Sequence, residues 1–106
     1  MSKSKNHLKE VRVMGRKYKI TEPSLINDGM QTLGLAHFDA ACINIRDDHG
    51  TESAYANTLL HETLHIIDNA AGLDLSEKQV TVLANCIMGV LSDNPEFVQC
   101  ILGGLE

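Results

Sequence analysis

Ser53-Ala54-Tyr55-Ala56-Asn57-Thr58-Leu59-Leu60-His61-Glu62-Thr63-Leu64-His65-Ile66-Ile67-Asp68-Asn69-Ala70-Ala71 is the stretch on which the fold turns. It contains neither Gly nor Pro, and its apolar residues recur at helical spacing, which predicts a helix over 53–71 stopped by Gly72. Ala56, Leu59, Leu60, Leu64, Ile66, Ile67 and Ala70 run round most of the circumference. A surface helix would be apolar on one stripe only. The polar residues Thr58, His61, Glu62, His65 and Asp68 are therefore expected in a cleft between apolar flanks. Ionisable groups placed there need partners, and a metal ion supplies one.

Working outward towards the N-terminus, Val11-Arg12-Val13 and Tyr18-Lys19-Ile20 alternate apolar with charged residues on either side of Met14-Gly15-Arg16-Lys17, a hairpin signal with Gly in the turn. Pro23-Ser24 and Asn27-Asp28-Gly29 break the pattern. The segments 33–38 and 42–45 then read as a second strand pair around Asp39-Ala40-Ala41. Towards the C-terminus, Ser76 and Gln79 form a capping box for a helix bearing Val80, Leu83, Ala84, Ile87 and Leu91. Asp93-Asn94-Pro95 ends that helix and begins another, with Pro95 at its first position and Gly103-Gly104 as its stop. Strands first and helices after is an α+β order: a short antiparallel N-terminal sheet packed on the central helix, followed by two further helices.

The chain of 106 residues, 43% hydrophobic and 22% charged, fits one domain over 1–106. Residues 1–9 read as a flexible basic tail. No apolar run is long enough for a membrane span, and no secretory signal opens the chain. Three cysteines without short spacing support neither a disulfide framework nor a zinc ribbon, so a reducing, cytoplasmic setting is expected. Seven of the nine Lys/Arg precede Thr21, against Glu10 alone, while the rest of the chain is strongly acidic. Nucleic acid would be repelled over most of that surface, which argues against a helical DNA-binding regulator.

His61 and His65 lie one helical turn apart on one face, where both imidazoles can reach a single zinc ion at about 2.0–2.1 Å. Glu62, next to His61, is angled beside the metal, where it can accept a proton from water instead of ligating. A catalytic zinc generally has three protein ligands. Asp68, Asp74 and Glu77 are the candidates for the third. Asp68 would have to reach back along its own helix, and a bond to a ligand imidazole suits it better. Glu77 shares the inward stripe of the next helix with Val80 and Ala84, and two-helix geometry favours it. His7, His37 and His49 read as ordinary surface or strand histidines, and Cys86 as a buried, inert thiol. Tyr18 and Tyr55 are candidate donors to an oxyanion, with no spacing that selects either.

Thr58-Leu59-Leu60-His61-Glu62-Thr63-Leu64-His65, followed by Gly72-Leu73-Asp74-Leu75-Ser76-Glu77, Val80, Leu83-Ala84-Asn85 and Asp93-Asn94-Pro95, resembles small phage- and prophage-encoded zincin-type metallopeptidases. These are akin to the ImmA/IrrE-type family and the minimal gluzincins. The likeness spans about Val11 to Pro95 and is specific from Thr58 onward. It implies a short sheet on an active-site helix, His61, His65 and Glu77 as zinc ligands, and Glu62 as general base. Eleven residues separate His65 from Glu77, fewer than in larger gluzincins. The expectation is a cytoplasmic zinc-dependent peptidase, in the host cytoplasm if phage-encoded. It would act on a peptide or protein substrate held in extended form along the 42–45 strand. The alternative is a catalytically inactive zinc-binding phage accessory or regulatory protein.

Overall fold

The computed structural model describes residues 7–24, 26 and 32–105. Most of the expected N-terminal tail and the Asn27-Asp28-Gly29 turn lie outside that set. Four strands, β1 (Glu10–Val13), β2 (Arg16–Thr21), β3 (Gly34–His37) and β4 (Cys42–Ile45), precede three helices, α1 (Glu52–Ala71), α2 (Glu77–Asp93) and α3 (Pro95–Gly104). The arrangement is α+β, with the sheet N-terminal to the helices.

Met14 and Gly15 both have positive φ, 49° and 86°. A two-residue turn with left-handed dihedrals at both positions matches the twist of the strands it joins, so β2 begins at once with Arg16. β3 and β4 form the second antiparallel pair. The sheet order is β1-β2-β4-β3, and β2 runs parallel to β4. The sheet is thus mixed and not purely antiparallel. Hydrophobicity explains the order: Tyr18 and Ile20 of β2 and Ile43 and Ile45 of β4 are all buried, and the strands that carry them take the centre. That placement corrects the expected substrate edge. β4 has neighbours on both sides, and β3 is the edge strand beside it.

One face of the sheet joins Tyr55 and Ile66 of α1 in a core with Val13, Tyr18, Ile20, Ile43 and Ile45. The other face is polar: Thr21 Oγ1–H donates to Asn44 Oδ1 at 2.7 Å, and His37 Nε2 lies 2.8 Å from Asn44 Nδ2. The second side of α1 receives Val80 and Ala84 of α2, both fully buried. Cys86 points away from that row and is exposed, not buried as expected, because α2 packs through one narrow stripe.

Candidate metal centre

α1 starts where Thr51 Oγ1 accepts from Ala54 N–H at 3.0 Å. It stops at Gly72, whose φ of 68° suits a residue without Cβ. The turn that follows is held by Asp68. Its carbonyl accepts from Gly72 N–H at 2.9 Å and from Leu73 N–H at 3.2 Å, and its Oδ1 accepts from Leu75 N–H at 3.0 Å. Ser76 Oγ then accepts from Gln79 N–H while Gln79 Oε1 accepts from Ser76 N–H, so α2 begins with Glu77 as its first residue. Asp68, expected against a ligand imidazole, instead fixes the path of the chain towards Glu77.

The consequence is a three-residue convergence. Glu77 places Oε2 2.9 Å from His61 Nε2 and Oε1 2.9 Å from His65 Nε2, and the two Nε2 atoms are 3.2 Å apart. His61, His65 and Glu77 form a group able to hold a metal ion. The histidines are partly covered, whereas 70% of the Glu77 side chain is open to solvent. Asp74, the remaining candidate, has a left-handed backbone (φ 62°) in the turn.

Glu62 lies beside this group, on the sheet side, only 7% exposed. Burial raises its carboxyl to about 7; the charge of His65 opposes the rise, Glu77 adds to it, and the Ala36 backbone N–H counters it. A cleft of about 420 Å³ is lined by Gly34, Asn57, Thr58, His61, Glu62 and Glu77. A second opening of about 280 Å³ continues past Ala36, Phe38 and His65. Both run along β3.

Comparison with protein families, curated proteins and solved structures finds no match. The site is therefore interpreted from its own chemistry.

Gly34 was not singled out in the sequence, yet it sets the width of the cleft. A Cβ there would lie 2.6 Å from Thr58 Cγ2 and 3.1 Å from Glu62 Cγ, so the absence of a side chain lets β3 lie directly on α1. The only local signal was a Gly within an otherwise strand-like run, which marks close backbone approach. His49, read as an ordinary histidine, supports the same wall. Its Nδ1–H donates to the Arg46 carbonyl at 2.9 Å, leaving Nε2 to accept from Thr58 Oγ1–H at 2.9 Å. His7 stacks on Tyr55 with centroids 3.6 Å apart and bonds Glu22 and Glu52 at 2.9 and 2.6 Å. Tyr55 O–H donates to Glu22, and Tyr18 is in the core, so neither tyrosine lines the cleft.

Proposed function

We propose that this chain is a zinc-dependent peptidase, with His61, His65 and Glu77 as the metal ligands and Glu62 as general base. The observation that carries the reading is the convergence of two imidazole nitrogens and a carboxylate beside a buried carboxylate. Four tetrahedral ligands at about 2.0 Å from zinc are about 3.3 Å from one another. The two Nε2 atoms are 3.2 Å apart, close to that value, and Glu77 sets one carboxylate oxygen 2.9 Å from each of them. A donor set of two imidazoles and one carboxylate suits zinc and leaves a position for water.

When bound, zinc supplies a Lewis acid that acidifies water and polarises a carbonyl. The residues of the chain supply the rest. Glu62, buried beside the three ligands, is placed to accept a proton from water and to return it to the leaving amine. Among the described residues β3 has a strand neighbour on one side only, and that open edge supports main-chain recognition of an extended peptide along the cleft. Gly34 keeps that strand close to Glu62.

The test is the elemental content of protein purified without added zinc, joined to hydrolysis of a mixed peptide library. About one zinc per chain with cleavage abolished in Glu62→Gln supports the reading; no retained metal removes it. A zinc-binding accessory protein without turnover is favoured by one observation: both tyrosine hydroxyls lie outside the cleft. One zinc per chain with no cleavage product from the library would select that second reading.

A further inference from the structure

α3 is amphipathic, and among the described residues its apolar stripe has nothing packed over it. Phe97, Val98, Ile101, Leu102 and Leu105 fall on one side of the helix, at i, i+1, i+4, i+5 and i+8. Yet no residue of α3 is buried. Phe97, Ile101, Leu102 and Leu105 are between 47% and 78% exposed, and Val90 and Leu91 at the end of α2 are exposed as well. Six apolar side chains exposed to that degree present roughly 600 Å² of apolar surface, at the top of the range for the largest patch on a typical monomer. A standard interface buries roughly 800 Å² per partner, of which these side chains would supply the apolar part.

We infer that this face is the contact between two copies of the chain, α3 and the end of α2 packing across a two-fold axis. A two-fold interface sets each residue against the same patch of its partner, so like charges on it would repel. The chain carries a net charge of −5, but from Val80 to Leu105 its only charged residues are Asp93 and Glu96, at the corner between the two helices. The apolar stripe itself is free of charge. The same composition disfavours other occupants. A helix that lies on an anionic membrane carries Lys or Arg on its polar face, and α3 has neither. Nucleic acid would need the same basic residues. The metal ligands are on α1 and the first residue of α2, so pairing through α3 leaves the cleft open.

Sedimentation equilibrium of the full zinc-loaded chain from 1 to 100 µM tests the proposal. Wild type should approach twice the 11.6 kDa chain mass as concentration rises. The Ile101→Glu/Leu102→Glu variant should stay at the single-chain mass while retaining its zinc and its circular dichroism. Because that variant can fail to fold, amide exchange of wild type gives a second measure. The α3 amides should exchange at least tenfold more slowly at 100 µM than at 1 µM, and those of β2 and β4 equally at both. A wild-type mass that stays at 11.6 kDa throughout overturns the inference. In that case, flotation with anionic vesicles would assign the face to a membrane. A dimer that survives in the glutamate variant overturns it too, since another surface would then hold the copies together.

Discussion

Glu62 is a carboxylate held where charge is costly. Burial brings its carboxyl from 4.5 to about 7, so the metal-free folded chain binds this proton more tightly than the unfolded chain does. Stability from that proton is present below pH 4.5, is lost as pH rises to about 7, and stays lost above. Glu62→Gln puts a neutral isostere in the same space. The metal-free variant should therefore exceed wild type at pH 8 by on the order of 2 kcal/mol and match it near pH 4, as measured by urea denaturation at both pH values. With zinc bound, the same substitution should leave metal content unchanged and abolish cleavage, and undiminished activity would remove Glu62 from the mechanism. Glu77 and Asp68 differ in kind, since one faces the imidazoles and the other holds the turn. Glu77→Ala should lose most of the zinc-dependent rise in Tm. Asp68→Ala, acting only through the turn that carries Glu77, should weaken zinc less than Glu77→Ala does in a competition with a chelating dye. The reverse ranking would make Asp68 the ligand.

β3 and α1 meet where Gly34 passes Thr58 and Glu62, and this contact shows which parts of the site were legible beforehand. Local signals were sufficient for the helices: the capping box at Ser76 and Gln79, Pro95 at the start of α3 and Gly72 after α1 each act within a few residues of themselves. The two histidines share a face for the same local reason, and Glu77 follows from the short turn. The parallel pairing of β2 with β4 joins segments more than 20 residues apart, and no local pattern specifies it. Nor does a single Gly reveal that the neighbour it approaches is a helix. Gly34→Val should push β3 off α1: zinc, held by α1 and α2, should remain bound, while kcat/KM on any cleaved peptide falls at least tenfold. Loss of zinc in that variant would mean that β3 supports the ligands themselves. At the other end of α1, burial opposes a charged His7 ring, but the bonds to Glu52 and Glu22 outweigh it and raise its pKa above 6.5. The stabilisation is fully present below pH 6.5 and is lost as pH rises through the folded value. Wild type should accordingly exceed His7→Gln in Tm at pH 6 by more than it does at pH 9. An equal difference at both pH values would assign His7 a packing role only.

Across the whole molecule, stability is divided unequally between the sheet and the C-terminal helices. Ile43, Ile45, Tyr18 and Ile66 close a core that includes none of His61, His65 and Glu77, whereas α2 is attached to α1 by Val80, Ala84, the hydrogen bond from Asn57 Nδ2–H to Asn85 Oδ1 and the bonds of Glu77 to His61 and His65. A metal ion on these three residues ties the two helices together, and its binding energy adds to the stability of the native chain alone. At a thousandfold excess over Kd that addition is about 4 kcal/mol. For a chain of this size it corresponds to a rise in Tm of about 15 °C or more. Its distribution is the sharper expectation. Removing zinc with a chelator should speed amide exchange in α2 and the 72–76 turn far more than in β2 and β4, because only the former depend on the ligand bridge for their docking. Calorimetry with and without zinc, followed by exchange mass spectrometry on the same samples, measures both quantities. Equal acceleration throughout the chain would mean that the metal stabilises one cooperative unit. No acceleration anywhere would mean that His61, His65 and Glu77 hold no ion, and their 2.9 Å contacts would then be hydrogen bonds that join α2 to α1 unaided.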